Sequence, residues 1–262
     1  MTLQCADVRV VAGDRVLLDG FSASFQPGRF TAILGPNGVG KSTLLAVLSG
    51  QRRPDGGRVL LDARPLSDYT SHTLALRRAV MPQESAVAFD FSVREVAELG
   101  RYPHRHQPDP DEAGIVARAL EATDVADLAP RIFNTLSGGE KSRVHLARAL
   151  AQVWATRGDG AACWLLLDEP TAALDLAHQH QALGLLQGRA RTQGLGVIAV
   201  LHDLNLALRY ADDVLLMADQ PSTAFGPIAE QLTPERMERI WGVRCTPVRN
   251  AQGLLQYLFE PA

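Results

Sequence analysis

The sequence has little cysteine, no excess of positive charge and no long hydrophobic run. Its three cysteines, Cys5, Cys163 and Cys245, lie far apart and form no C-x-x-C pair, so they predict small buried side chains in a reducing compartment. A net charge of −3 over 262 residues gives no basic field for nucleic acid or an anionic membrane. No apolar run approaches the roughly 18 residues that span a bilayer. These absences favour a soluble cytosolic protein without a nucleic-acid partner.

The N-terminal segment also lacks the features of a signal peptide. Charged residues stand at four of its first 15 positions (Asp7, Arg9, Asp14 and Arg15), where a signal peptide needs an uninterrupted apolar stretch. We therefore expect no secretory signal.

Short apolar runs predict the core of the fold. Separated by helix-compatible segments, they are typical of parallel strands buried on both faces, which predicts an α/β fold. The runs are FTAIL (30–34), AVM (79–81), CWLLLD (163–168), GVIAVLH (196–202) and DVLLM (213–217). Before them, an alternating pattern that turns at Ala12–Gly13–Asp14 predicts an antiparallel hairpin.

The chain between these runs suggests a division of one domain, 1–262, into parts. Residues 84–135 contain no comparable strand and include the polar loop PHRHQPDPDE, so a mainly helical insertion is expected there. We expect a core of residues 1–83 and 151–225, a helical subdomain of residues 84–150 and a C-terminal extension of residues 226–262.

The most specific motif is a glycine-rich loop that matches G-x-x-x-x-G-K-[ST] between a predicted strand and a predicted helix. Its glycines allow backbone N–H groups and the helix N-terminus to face a phosphate. Lys41 can reach the β- and γ-phosphates of a nucleotide, and Ser42 can bind Mg²⁺. The residues of the loop are Gly35, Pro36, Asn37, Gly38, Val39, Gly40, Lys41, Ser42 and Thr43.

A second motif, CWLLLDEPTAALD, places two carboxylates after a buried strand. Ligands of open α/β sheets gather at the carboxyl ends of their strands. With the phosphate loop nearby, Asp168 is expected to hold Mg²⁺, and Glu169 to polarise the water that attacks the γ-phosphate.

A third motif, Leu136 followed by Ser137, Gly138, Gly139 and Glu140, precedes the amphipathic run KSRVHLARALAQVW. Ser-x-x-Glu at this place predicts a capping box at a helix N-terminus. The two glycines also allow an anion to approach the backbone. The chain therefore carries two helix N-termini suited to phosphate.

These residues together resemble the nucleotide-binding subunits of ATP-binding cassette (ABC) transporters. GPNGVGKST is similar to the Walker A loop, LLLDE to Walker B and LSGGE to the signature motif. Gln83 resembles the Q-loop glutamine, Asp175 lies in a segment similar to the D-loop, and His202 resembles the switch histidine. The resemblance implies a P-loop NTPase core, with Glu169, His202 and Gln83 acting in ATP hydrolysis and Ser42, Gln83 and Asp168 around Mg²⁺.

The resemblance also implies partners. In a head-to-tail homodimer, Ser137, Gly138, Gly139 and Glu140 of one subunit would close on ATP held by Lys41 of the other. Two membrane permease subunits would bind this dimer at the cytoplasmic face of the inner membrane. Cargo would reach them from a periplasmic binding protein.

The run that follows Gln83, AVAFDFSVREV, would lie where a membrane subunit inserts a coupling helix. Exposed Phe89 and Phe91 would serve as aromatic anchors there. The alternative is that both rings pack within the helical subdomain.

Two features depart from a simple match. The family usually stacks adenine on an aromatic side chain of the first hairpin, but the corresponding position is about Val10, so apolar contact from Val10 or Val16 is expected instead. The spacings His104-Arg-His106 and His178-Gln-His180 invite a metal interpretation, but no cysteine or carboxylate pair completes a ligand set.

Other classes with this ATPase head fit less well. A chromosome-maintenance ATPase would need a long coiled coil, yet only about fifty residues separate Gln83 from Leu136. A translation factor would usually carry two heads, and a small-molecule kinase has no use for LSGGE.

Within the importers, Phe-x-Phe-Ser-Val, the run at 173–180 and ATRGDGAA are most similar to subunits that import haem (hemin). Ferric siderophore and cobalamin remain the alternative cargoes.

Overall fold

The computed structural model describes residues 2–83, 88–154, 159–218 and 224–261. Its central sheet has six strands in the order β10-β9-β3-β8-β7-β6. All neighbouring pairs are parallel except β10 with β9, which is antiparallel. The strands are β3 (Phe30–Leu34), β6 (Arg78–Met81), β7 (Trp164–Asp168), β8 (Gly196–Val200), β9 (Asp213–Leu216) and β10 (Ala224–Pro227).

Both faces of this sheet are buried, as the continuous apolar runs predict. Ile33, Leu166 and Ile198 pack with the phosphate-loop helix and the N-terminal strands. Leu165 and Leu167, which alternate with Leu166 along β7, pack on the opposite face with the longer helices. Because successive side chains of a strand point to opposite faces, an all-apolar strand is the sequence pattern of such a sheet.

The N-terminal part forms a second, antiparallel sheet in the order β2-β1-β4-β5. Its hairpin, β1 (Leu3–Ala12) and β2 (Arg15–Phe25), turns at Gly13–Asp14, as predicted. The strands β4 (Gly56–Leu61) and β5 (Arg64–Pro65) extend it and were not predicted. The sheet packs against the helix that follows the phosphate loop, and in this way it places the hairpin next to that loop.

The helices connect the strands and form one separate cluster. Val93, Val116, Phe133 and Val144 are fully buried members of this cluster, called here the helical cluster. The helices are α1 (Lys41–Leu48), α2 (Ser71–Ala75), α3 (Val93–Glu98), α4 (Glu112–Ala122), α5 (Gly138–Gln152), α6 (Leu176–Gln193), α7 (Leu204–Tyr210), α8 (Ile228–Gln231) and α9 (Pro234–Trp241).

A two-stranded antiparallel ribbon, β11 (Val243–Arg249) and β12 (Leu255–Pro261), follows α9. It is attached to the core through Tyr257, whose hydroxyl donates to Leu232 O at 2.9 Å. Asn205 of α7 also donates to Tyr257 O at 3.0 Å. These polar contacts join the ribbon to the side of the central sheet. Its two strands were not predicted.

Candidate active site

The phosphate loop lies between β3 and α1, and close packing dictates its glycines. A Cβ on Gly35 would lie 2.2 Å from the carbonyl oxygen of Met217. Gly40 has φ +102°, and a Cβ there would lie 2.7 Å from Leu17 Cδ1. Only glycine combines this backbone angle with this clearance. The loop therefore passes tightly between β9 and the hairpin before α1 begins at Lys41.

Lys41 and Ser42 begin α1, and their side chains contact different groups. The Lys41 ammonium, 6% exposed, donates to Gly35 O and Pro36 O, both at 2.9 Å. Burial lowers its pKa, and the carboxylates of Glu169 and Asp168 oppose this shift. Ser42 Oγ donates to Asp168 Oδ1 at 3.0 Å. Burial raises the pKa of Asp168, against the hydrogen bond from Ser42.

Three polar side chains converge at the carboxyl ends of neighbouring strands. Gln83 follows β6, Glu169 follows β7 and His202 follows β8. Gln83 Nε2 donates to Glu169 Oε2 at 3.0 Å, and His202 Nε2 lies 2.6 Å from Glu169 Oε1. Since a carboxylate can only accept, His202 carries its proton on Nε2 in this contact. Both oxygens of Glu169 are therefore held in place by a donor.

Glu169 adopts a backbone conformation that L-residues rarely use, with φ 53°. A non-glycine residue in this region costs on the order of 1 kcal/mol or more and is found often at functional sites. The carboxylate of the same residue contacts both Gln83 and His202. The strain thus accompanies the geometry that brings the three side chains together.

A cavity of about 620 Å³ connects these groups. It is called here the phosphate-loop cavity, and its lining residues are Ala12, Arg15, Leu17, Asn37, Gly38, Gly40, Lys41, Ser42, Thr43, Gln83, Glu169 and His202. The first turn of α1 contains no acidic residue of its own, and the partial positive charge of a helix N-terminus favours a phosphate. The hydroxyl of Ser42 and the carboxylate of Asp168 are oxygen ligands of the kind that Mg²⁺ prefers. The residues present therefore fit a magnesium-bound triphosphate.

The family follows from a match over a region that contains the phosphate loop and Glu169. Residues 18–172, more than half of the chain, match the family model described as ABC transporter. The chain belongs to the ABC transporter family. This family assignment also confirms the predicted α/β fold with its parallel sheet, N-terminal antiparallel strands and helical insertion.

Individual proteins of the ABC family resemble the chain over nearly its whole length. It is 44% identical over 249 residues to the "Hemin import ATP-binding protein HmuV" of Gloeobacter violaceus, covering 95% of this chain and 90% of that protein. The protein of the same name from Myxococcus xanthus is 45% identical, with 93% and 91% covered. A solved metal-chelate type ABC transporter in an inward-facing conformation is 27% identical, with a TM-score of 0.80 and with 100% of this chain and 97% of that chain covered.

The segment similar to the ABC signature motif does not line the described phosphate-loop cavity of its own chain. Ser137 caps α5 by accepting from Glu140 N, and Glu140 Oε2 accepts from Ser137 N at 2.7 Å, so the predicted capping box is present. Gly139 packs so closely that a Cβ would lie 2.9 Å from Ala173 O. None of residues 137–140 lines the cavity in the part of the chain that the structure describes.

Asp175, in the segment similar to the D-loop, caps α6 by accepting from His178 N at 2.9 Å. Its side chain also lies 2.8 Å from His178 Nδ1, and His178 Nε2 lies 3.3 Å from Asp124 Oδ2. The hydrogen bonds from the backbone and side chain of His178 lower the pKa of Asp175. This histidine therefore bridges the D-loop segment and the end of α4.

The other histidines singled out from their spacing have separate partners. His104 Nε2 lies 2.9 Å from Gln152 O, His106 Nε2 accepts from Arg105 Nε, and His180 Nδ1 lies 2.8 Å from the Tyr210 hydroxyl. Within the described ranges, no group of three or more histidine, cysteine, aspartate or glutamate side chains could hold a metal ion.

The expected apolar contact of Val10 or Val16 with the base is wrong, since neither residue is among the described lining residues of the cavity. Val10 is 0% exposed and belongs to the core under the hairpin. The hairpin residues that line the cavity are Ala12, Arg15 and Leu17. Ala12 and Arg15 are direct cross-strand partners at the turn. The predicted turn at Gly13–Asp14 could have identified these residues, because the residues that flank a turn lie at the tip of the hairpin.

The two phenylalanines after Gln83 have different environments. Phe89 is 71% exposed, in agreement with the expected aromatic anchor. Phe91 is partly buried and packs against the helical cluster, so the alternative holds for this ring. Their centroids are 6.0 Å apart in an edge-to-face arrangement. Residues 84–87, the last two of which begin the predicted docking segment, and residues 155–158 of ATRGDGAA lie outside the described residues.

A search of the described helices found none that is both long and apolar enough to cross a bilayer.

Proposed function

We propose that this chain is the ATP-hydrolysing subunit of an importer that moves haem across the cytoplasmic membrane. The observation that carries the hydrolytic part is the contact of Glu169 with both Gln83 and His202 beside the phosphate loop. The haem part rests on relatives at 44% and 45% identity that are named as hemin import proteins.

In this proposal, the side chains of the phosphate-loop cavity divide the work of hydrolysis. Lys41 leaves the carbonyls of Gly35 and Pro36 and donates to the β- and γ-phosphates of ATP, together with the N–H groups that begin α1. Glu169 accepts a proton from the attacking water, which lies between its carboxylate and the γ-phosphate. His202 and Gln83 hold the carboxylate in the orientation that this proton transfer needs.

Ser42, Asp168 and Gln83 are the residues that would hold Mg²⁺, and the ion would neutralise charge on the phosphate oxygens. The Ser42 hydroxyl and the Asp168 carboxylate, 3.0 Å apart, are within reach of a common ligand. Burial raises the pKa of Asp168, and a bound cation would act in the opposite direction by favouring the ionised carboxylate.

The functional unit proposed is a homodimer bound to two permease subunits at the cytoplasmic face of the membrane. Because residues 137–140 do not line the described cavity of their own chain, they are free to close on the cavity of a second copy. Phe89, exposed beside the helical cluster, is the proposed contact for a permease coupling helix. The division into a core, the helical subdomain 84–150 and the C-terminal extension 226–262 belongs to the same proposal.

Transport by a reconstituted complex tests the cargo. The chain and its cognate permease in liposomes should take up haem from a haem-loaded periplasmic binding protein when MgATP is present. The same liposomes should take up neither a ferric siderophore nor cobalamin. Transport of a ferric siderophore but not haem would defeat haem as cargo and leave the importer function in place. A ferric siderophore is the relevant competitor, because it is a metal chelate and one relative is described as a metal-chelate type transporter.

A variant of Phe89 tests the docking contact. Phe89→Ala removes an exposed ring and should uncouple haem uptake from ATP, while the isolated subunit keeps its basal ATPase activity. Leu258→Ala is the control, because Leu258 is also exposed, at 57%, but lies on the C-terminal ribbon. Phe91→Ala should uncouple transport as well, but a lower melting temperature is expected because this ring packs against the helical cluster. Full transport by Phe89→Ala would remove this residue from the permease contact.

A further inference from the structure

One end of the phosphate-loop cavity is built by the first hairpin and contains no aromatic ring. Leu17 packs on Gly40 and so places the hairpin against the phosphate loop. Ala12 and Arg15 face each other across the turn and line the cavity. The aromatic residues of this hairpin, Phe21 and Phe25, are buried in the core. No phenylalanine, tyrosine or tryptophan is among the described lining residues.

The position of the base follows from the positions of the other lining groups. For hydrolysis, the terminal phosphate must lie beside Glu169, which contacts Gln83 and His202. The remaining phosphates must lie on residues 35–43, where the backbone N–H groups and Lys41 are found. The nucleoside then falls to the only other part of the described lining, the hairpin residues Ala12, Arg15 and Leu17.

Arg15 is placed to present its side chain to that nucleoside. Its Nη1 donates to Gly38 O at 3.3 Å, so the guanidinium extends from the hairpin tip alongside the phosphate loop. Directly across the turn, the methyl group of Ala12 leaves the space that a larger side chain would occupy. A planar guanidinium can stack on the face of a base by dispersion and cation–π attraction.

We propose that the guanidinium of Arg15 is the platform on which the nucleotide base stacks, in place of an aromatic ring. This inference rests on the proposed ATP site. Every base has a π-face, so a contact of this kind tolerates different bases. ADP and GDP should therefore bind with dissociation constants within about fivefold of each other.

Binding of a ligand with a base and of one without a base tests this role. The full-length chain and its variants would be titrated with ADP and with inorganic tripolyphosphate in Mg²⁺, using calorimetry. Arg15→Ala should weaken ADP by about 5- to 20-fold, the range for loss of one stacking contact. Tripolyphosphate should bind Arg15→Ala as it binds the unmodified chain, because it has no base to stack.

Two further variants separate stacking from a structural or phosphate-binding role. Arg15→Tyr should restore ADP binding to within about threefold, because a phenol ring also stacks on a base. Arg9→Ala removes an arginine from the same hairpin, where Arg9 lies 3.6 Å from Asp19 rather than in the cavity lining, and should bind both ligands normally.

The outcomes distinguish this inference from the function on which it rests. Equal weakening of ADP and tripolyphosphate in Arg15→Ala, unchanged ADP binding, or no rescue by Arg15→Tyr would each overturn the stacking role. Lys41→Ala should weaken both ligands, since it removes a phosphate contact. If the unmodified chain bound neither ligand, or if Lys41→Ala bound both normally, the proposed nucleotide site itself would be wrong.

Discussion

At the scale of single residues, the proposed hydrolysis depends on how firmly Glu169 is held. This residue has a positive φ, and its carboxylate contacts two side chains that follow different strands, Gln83 after β6 and His202 after β8. A general base is effective only when its geometry and its pKa suit the proton it accepts. The contacts of Gln83 and His202 with Glu169 supply this geometry.

The first prediction concerns the removal of this base. Glu169→Gln keeps the size of the side chain and should bind MgATP normally. Its ATP turnover should fall by about 10²- to 10⁴-fold, the usual contribution of a positioned general base. Steady-state phosphate release together with ATP titration provides the measurement. Glu98→Gln, at an exposed position of α3, is the control and should retain normal turnover.

His202→Ala should also lower turnover, because it removes the donor 2.6 Å from Glu169 Oε1. The matched control is His180→Ala, which removes a histidine that contacts Tyr210 instead. Near-normal turnover by Glu169→Gln would exclude the proposed role of Glu169, whatever the result for His202.

At the scale of secondary-structure elements, one ion pair connects two parts of the helical cluster. Arg101 precedes α4 in a short 3-10 helix and donates to both carboxylate oxygens of Glu112, at 2.6 and 2.9 Å. Arg101 is buried and also donates to Ala151 O at the end of α5. The hydrogen bond from Arg101 lowers the pKa of Glu112.

The second prediction is the pH dependence of this contact. Glu112→Gln leaves the buried guanidinium without its charge partner and should reduce the free energy of unfolding by about 1–3 kcal/mol at pH 7. Because the pKa of Glu112 is lower in the folded than in the unfolded chain, the stabilisation is complete above the unfolded pKa. It is lost as the pH falls through the folded pKa.

Urea unfolding between pH 8 and about pH 4 measures this difference. The gap between the unmodified chain and Glu112→Gln should stay constant down to about pH 5 and shrink below it. Glu121→Gln on the same helix is the control, since Glu121 forms no ion pair within the described part of the chain. A gap that stays the same at every pH would contradict the charge-pair explanation.

The elements also show how far sequence reasoning extends. The strand ending at Asp168 could be predicted because four apolar residues precede it, and α5 because its capping box is local. The ribbon of β11 and β12 could not, because each strand buries only one residue, Cys245 or Tyr257, and therefore shows no alternating pattern. Local signals predicted the strand β7 and the helix α5. The strands β11 and β12 carry no such signal, because each buries a single residue.

Contacts distant in sequence were beyond prediction from the residues alone. Gln83 and Glu169 are 86 positions apart, and only the parallel order of β6 and β7 brings them together. The resemblance to ABC transporters implied that both act at one site, but their direct hydrogen bond required the fold. The error at Val10 has the same origin, since the choice between Val10 and Ala12 depends on which residues lie at the hairpin tip.

At the scale of the whole molecule, the two helix N-termini suited to phosphate do not meet within one chain. α1 begins at the phosphate-loop cavity, whereas residues 137–140 at the start of α5, which resemble the signature motif, are absent from its described lining. A head-to-tail pair of chains would give each cavity the second N-terminus that it lacks, and two copies would form two complete sites. Activity should therefore belong to the dimer.

The third prediction tests this shared site with variants of two serines that have the same local role. In the Glu169→Gln background, MgATP should produce a dimer that size-exclusion chromatography with light scattering detects. Ser137→Arg in that background should still bind ATP but remain monomeric, because the long charged side chain blocks the surface that closes on the second copy. Ser92→Arg is the control, since Ser92 forms the same capping box in α3. The Ser92→Arg variant loses a cap of the same kind and should still dimerise.

Dilution of the unmodified chain provides an independent measurement of the same dependence. If the active species is a dimer, ATPase activity per chain should fall once the protein concentration drops below the dissociation constant of the dimer. Activity that is linear in protein concentration down to the nanomolar range, together with no ATP-dependent dimer in Glu169→Gln, would contradict the shared site. Loss of the dimer in both Ser137→Arg and Ser92→Arg would instead show that dimerisation depends on helix capping, and the signature serine would then have no separate role.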